Sequence, residues 1–264
     1  MLQAIDNALN DISAALRRRS VWMALAVEDI GDQHRRTALG PFWLLINYLA
    51  FAGTFIFVFQ RGDTGSPNYP AYVATGLLVW FFIMETVSQG VMLFVREESF
   101  IKGTTLPLSV YVMRLTTQSV IRAGYALIGC LAILFFSGTG ISLGTLWAVP
   151  SVAVILVTAP AAIIVFAFLG AYFPDSQFIV TNLMRIGMFL TPVFWTLAPG
   201  TSGVRTAFYY WNPFTYFLQI VRVPILSGFL PLRSFFVCIA ISLVLWAIGL
   251  VLLGRLRKQV PFAL

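Results

Sequence analysis

Three ionisable residues stand inside long apolar runs: Glu85, within Phe-Ile-Met-Glu-Thr, and Arg122 and Arg185. On insertion scales a charge at the centre of a bilayer costs about 2.5–3.5 kcal/mol, so such a group must face protein or water. Glu85 and Arg122 can form an in-membrane polar pathway, as coupling groups do in gradient-driven carriers, or a charge pair that locks two helices together. Conventional catalytic sets are absent from the sequence. The single histidine, His34, adjoins Arg35 and Arg36 and reads as a solvated interfacial residue. There is no glycine-rich phosphate loop, no metal-ligand spacing and no Ser-His-Asp arrangement, so no catalytic residue, metal or cofactor is expected in this chain. Cys130 and Cys238 lie in apolar runs and read as small packing residues. If the protein moves something, a gradient or a partner must supply the energy.

Two further sets could make contacts. Glu97, Glu98, Ser99, Phe100, Ile101 and Lys102 form a short charged stub between two apolar runs, ahead of Gly103 and Pro107. An exposed Phe-Ile pair beside acidic groups suits docking to a soluble partner; a plain loop against lipid headgroups is the other reading. Phe51, Phe55 and Phe59 recur every four residues on one helical face, and Trp195 belongs to a second aromatic group with Phe189, Phe194, Tyr209, Tyr210 and Trp211. Aromatic faces can stack on sugar rings. They also anchor proteins at membrane interfaces.

The elements that carry these residues follow from composition. The chain has 264 residues, 59% hydrophobic and only 10% charged, with a formal net charge of +7. Its mean hydropathy is +0.87. A soluble domain carries roughly 25% charged residues. This one cannot cover a globular surface with polar groups, which excludes a soluble enzyme, a disordered chain and a free-standing nucleic-acid binder. A helix needs about 20 apolar residues to cross the hydrocarbon core, and six stretches qualify: Phe42–Phe59, 71–95, 115–136, 146–173, 178–197 and 235–253. Residues 209–226, interrupted by Pro213 and Pro224, read as a re-entrant pair of half-helices before the last span. Ile5, Leu9, Ile12 and Leu16 recur at helical spacing, giving an N-terminal amphipathic helix in the membrane interface. The first 20 residues do not read as a cleavable signal peptide.

The expected fold is therefore all-α and integral to the membrane, a single domain over 1–264. Residues 1–40 form the interfacial region, 42–254 the six-helix body and 255–264 a cytoplasmic tail. Arg17, Arg18, Arg19, Arg35, Arg36, Arg96, Lys102, Arg255, Arg257 and Lys258 fall on one side, against Arg61, Arg205, Arg222 and Arg233 on the other. The positive-inside bias puts both termini in the cytoplasm.

Four motifs in order carry a resemblance. Asp29-Ile30 followed by Arg35-Arg36-Thr37-Ala38-Leu39-Gly40-Pro41-Phe42-Trp43, Phe173-Pro174-Asp175, Leu190-Thr191-Pro192-Val193-Phe194, and Asn212-Pro213 with Arg222 and Gly228 resemble the membrane subunits of type-2 ABC exporters for polysaccharides. Pro174 stands where that family usually has Arg, and Glu28 precedes Asp29 where Arg is common. The resemblance implies a homodimer with two copies of a separate ATPase, which holds the ATP and Mg. It implies export of a lipid-linked glycan such as O-antigen, capsule or teichoic acid across the bacterial inner membrane. It makes Glu97 to Lys102 a coupling helix and the segment before Gly40 a gate. An undecaprenyl diphosphate head is anionic, so Arg35 and Arg36 can contact it at the cytoplasmic mouth; positive-inside anchoring accounts for them equally well. Phe51, Phe55, Phe59 and Trp195 become candidate channel aromatics. An ABC exporter of a drug or lipid, a membrane-bound sugar transferase and a gradient-driven carrier are the competing readings.

Overall fold

The computed structural model describes residues 2–59, 68–139, 143–197 and 203–264. Every regular element among them is helical. In chain order they are α1 (Leu2–Arg17), α2 (Arg19–His34), α3 (Phe42–Phe59), α4 (Tyr69–Arg96), α5 (Glu98–Gly103), α6 (Leu108–Phe136), α7 (Ala148–Tyr172), α8 (Ser176–Leu190), α9 (Val204–Trp211), α10 (Pro213–Ser227), α11 (Leu232–Leu256) and α12 (Val260–Ala263). Five are long and apolar enough to cross a membrane: α3, α4, α6, α7 with the short 3₁₀ turn before it, and α11. Residues 60–67, which link α3 to α4, lie outside the described residues.

Proline and glycine set the boundaries. Pro70 and Pro213 occupy first-turn positions of α4 and α10, where a missing N–H costs nothing. Asn212 caps α10, its side chain accepting the Phe214 N–H at 2.9 Å. Gly228 closes that helix at φ 73°, the left-handed conformation glycine adopts freely.

α4 is the centre. In its most apolar window 56% is buried, against 11% for α3, which lies at the edge. α4 packs against α6, α7, α8, α10 and α3. Its seam with α7 is tight because Gly170 has no side chain: a Cβ there would meet the Val91 carbonyl oxygen at 1.7 Å. Such small-residue packing is how helices associate where lipid is as apolar as leucine. One core cluster surrounds Trp80, Leu77 and Leu218; a second joins Phe94, Phe168, Leu253 and Ala8.

Three expectations change. Residues 178–197 are not one helix. α8 has 15 residues and ends at Leu190, about 22 Å by helical rise against roughly 30 Å of hydrocarbon. The third span begins at Leu108, directly after Pro107, rather than near 115. Pro224 lies inside α10 without ending it; the break falls at Asn212-Pro213, between α9 and α10. The N-terminal helix packs on the body through one face. Ala8, Asp11 and Ala15 are buried against α11 and α6, while Leu9 and Leu16 are about half exposed. The small residues, rather than the large ones, meet protein.

Candidate functional site

A cavity of about 670 Å³ opens between α3, α4, α6 and α8. Each helix contributes through its own period. α3 turns Leu44, Asn47 and Phe51 toward it, α4 turns Phe81, Phe82 and Glu85, α6 turns Ser119 and Arg122, and α8 turns Arg185 and Phe189. The walls are aromatic and apolar with a few convergent polar groups, the usual composition of a ligand site. Glu85 and Arg122 do pair: an Arg122 Nη donates to the Glu85 carboxylate, and the other Nη donates to Gln33 Oε1 at 2.8 Å. Among the described residues Arg185 has no recorded hydrogen bond or ion pair.

The pair terminates a polar ladder. α2 runs alongside α6, with Asp29 meeting Arg114 and Gln118, and Gln33 meeting Arg122 one turn later. Arg114 grips the Asp29 carboxylate with both Nε (2.6 Å) and Nη2 (2.7 Å), and its Nη1 donates to Glu97 at 2.9 Å. A two-pronged guanidinium–carboxylate contact is among the stronger polar interactions a protein makes. Arg35 and Arg36 follow Gln33 closely and are exposed; Arg35 lies 3.7 Å from Asp32.

The expected docking stub needs correction. α5 starts at Glu98, and Glu97 precedes it as a cap residue, 6% exposed and engaged by Arg114 and Arg96. Phe100 and Ile101 do not form an exposed pair. Phe100 is 58% exposed while Ile101 is buried in the second core, since successive helical residues lie about 100° apart. The outward surface is Ser99, Phe100 and Lys102, with Glu98 half-buried and 2.6 Å from Lys102.

The aromatic stripe forms but divides. Phe51 borders the cavity and meets Phe81 edge-on at 5.6 Å. Phe55 instead stacks on Phe194 at 3.8 Å, and Phe59 stacks on Phe55 at 5.9 Å. Trp195 is outside the cavity lining; its Nε1 donates to the Phe189 carbonyl at 3.0 Å.

Sequence reading missed the clamp behind Phe194. Past the end of α8, four successive carbonyls are engaged by side chains. Arg222 donates to Pro192 (2.8 Å) and Val193 (3.3 Å), Tyr69 to Phe194 (2.9 Å), and Tyr72 to Pro192 (3.0 Å) and Trp195 (2.9 Å). Arg222 is 5% exposed and its guanidinium lies 3.6 Å over the Tyr72 ring. A Cβ on Gly76 would fall 2.0 Å from an Arg222 nitrogen, so glycine makes room for the cation. Arg114 and Gln118 were also missed, although Arg114, Gln118 and Arg122 at four-residue spacing mark a polar stripe on an otherwise apolar helix.

On α1, Asp11 accepts from the Ser109 N–H and hydroxyl, both at 3.3 Å. Burial pushes its carboxyl above the usual aspartate value, opposed by the hydrogen bonds from Ser109 and by Arg257. Arg257 in turn donates to the Asn7 carbonyl at 2.9 Å, tying α1 to the end of α11.

No family model matches the chain. Three curated proteins are similar to it, each named an O-antigen export system permease protein RfbA. One from Klebsiella pneumoniae is 23% identical over 237 residues, 88% of this chain and 90% of the relative. A second from the same organism is 22% identical over 238 residues with the same coverage. One from Myxococcus xanthus is 24% identical over 188 residues, 68% of this chain and 70% of the relative. The resemblance to type-2 ABC exporter membrane subunits is thus borne out along nearly the whole chain.

Proposed function

We propose that this chain is the membrane subunit of an ATP-driven exporter that passes a lipid-linked polysaccharide, such as O-antigen, across the bacterial inner membrane. The observation that carries the reading is the aromatic-walled cavity between α3, α4, α6 and α8, in a chain similar over 88% of its length to O-antigen export permeases. Aromatic faces in an apolar surround suit the C–H faces of sugar rings.

The rest of the assignment follows. Two copies of the chain work with two copies of an ATPase, which binds ATP and Mg; this chain is not an enzyme. α5 is the coupling helix, and Phe100 and Lys102 offer the ATPase its contact. α1 and α2 form the cytoplasmic gate, with both termini inside. Arg35 and Arg36 meet an anionic diphosphate head at the cytoplasmic mouth. α8 with 191–197 makes a sixth crossing, and α9 with α10 re-enters from the outer side. Non-helical backbone at membrane depth must have its polar groups satisfied by protein. The engagement of the carbonyls at 192–195 by Arg222, Tyr69 and Tyr72 supports that crossing.

The test is a strain lacking this protein, with lipid-linked glycan fractionated by leaflet. Accumulation on the cytoplasmic face with loss from the surface is expected. Normal surface glycan overturns the reading and leaves a drug or lipid as cargo. Absence of any lipid-linked glycan points instead to an earlier biosynthetic role.

A further inference from the structure

The cavity contains one cation too many. Among the described residues Glu85 is the only carboxylate on its wall and is committed to Arg122, so Arg185 leaves the wall with an unbalanced positive charge. The other buried or half-buried carboxylates of the neighbouring ladder, Asp29 and Glu97, are held by Arg114. Arg185 lies nine residues after the start of α8, about 14 Å along its axis. Arg185 is exposed, and Leu183, Ile186 and Phe189 on the same helix are each more than half exposed and apolar. A guanidinium among such side chains needs an anion or water.

A second observation points the same way. Ser119 lines the same cavity at 1% exposure, and its hydroxyl has no hydrogen-bond partner. Buried polar groups are rarely left unmatched, and an orphan on the wall of a cavity marks a place for a ligand atom. A guanidinium presents a planar fork of donors suited to phosphate oxygens. Phe81, Phe82 and Phe189 supply an apolar flank beside it.

We propose that Arg185, Ser119 and the Arg122 already paired to Glu85 form an oxyanion-binding site inside the cavity, for a phosphate or diphosphate ester carried on an apolar body. This rests on the exporter reading of the same cavity and adds the group that holds the charged junction of the cargo in transit. Arg35 and Arg36, exposed just beyond Gln33 and hence beyond Arg122, offer the anion a first contact on the way in.

The test uses the purified full-length chain in neutral detergent with three probes: farnesyl diphosphate, farnesol and inorganic pyrophosphate. Farnesyl diphosphate is expected to bind and raise the melting temperature. Arg185→Gln should weaken that binding about tenfold or more, the loss of a charge-assisted contact, and Arg185→Lys should recover part of it. Ser119→Ala should cost a few-fold. Farnesol binding should be indifferent to all three changes. Unliganded melting temperature and elution volume control for folding. The proposal is overturned if Arg185→Gln binds farnesyl diphosphate like the wild type, or if farnesol binds as tightly as the diphosphate. It is overturned equally if pyrophosphate alone matches farnesyl diphosphate, since the apolar flank then has no part. Loss of self-association in Arg185→Gln, without loss of binding, assigns the arginine to a contact between copies. Intact glycan export by an Arg185→Gln strain removes this site from transport while the exporter reading stands on the deletion strain.

Discussion

Arg114 is the residue on which most of the polar structure between α2, α5 and α6 converges. It joins three elements: α6, which carries it, α2 through Asp29, and the start of α5 through Glu97. Its side chain is 15% exposed, Asp29 22% and Glu97 8%, so removal leaves two poorly solvated carboxylates to weaker partners, Asp29 to Gln118 and Glu97 to Arg96. Breaking a buried pair from one side costs about 3–5 kcal/mol, and partial exposure puts this case toward or below the lower end. Arg114→Gln is therefore expected to lower the melting temperature of the purified protein by several degrees. Arg114→Lys should recover little, because an ammonium cannot make the two-pronged contact. An unchanged melting temperature in Arg114→Gln contradicts the hub. Asp29 stood out in the sequence as part of a motif, whereas Arg114 did not. The apolar run that suggested the third span starts at Leu115, so the charge just before it read as a flank. Glu85 and Arg122 were legible for the opposite reason: a charge deep in an apolar run has few permitted partners.

At the scale of elements, apolar periodicity located helices well and failed where backbone chemistry intervened. α8 stops at Leu190 although the run 178–197 stays apolar, because Pro192 has no N–H to continue the ladder and the freed carbonyls find Arg222, Tyr69 and Tyr72. Those partners lie 120 or more residues away for the tyrosines, beyond the reach of local patterning. On α1 the pattern found the helix but not the side that meets protein. The large residues suggested an apolar face, but close approach to α11 selects Ala4, Ala8 and Ala15: a Cβ on Gly254 would fall 1.9 Å from the Ala4 carbonyl oxygen. The docked face also buries Asp11, whose carboxyl burial holds above its usual value. The folded state then binds a proton more readily than the undocked one, so docking is strongest near and below the ordinary aspartate value. It weakens as pH rises through the raised value. Hydrogen exchange over residues 4–17 in detergent should accordingly quicken with pH beyond the intrinsic base-catalysed increase. Asp11→Asn should flatten that excess and protect α1 at neutral pH. Equal excess in both proteins would show that Asp11 does not control docking.

For the whole molecule, the uneven burial of the membrane helices carries the argument. α4 and α7 are buried within one chain, while α3 keeps only Tyr48 and Ala52 buried and exposes Trp43, Ile46, Phe51, Phe57 and Val58. Composition identified a membrane protein but could not say which helices were central, since lipid-facing and protein-facing residues are alike apolar. The cavity is bordered by this exposed helix and by α8, so one chain leaves it open on that side. If a second copy closes it, residues on the cavity side of α3 must approach their own equivalents or α8 of that copy. Thr54 is exposed and lies within one turn of Phe51, and both native cysteines are buried at 1% or less, so a new thiol can be read without background. Thr54→Cys is expected to form disulfide-linked dimers in oxidised native membranes. Leu243→Cys, on the 65% exposed outer face of α11, should not. Dimers at Leu243 with none at Thr54 would move the interface to α11 and leave the cavity facing lipid, where a polymer of sugars could not pass.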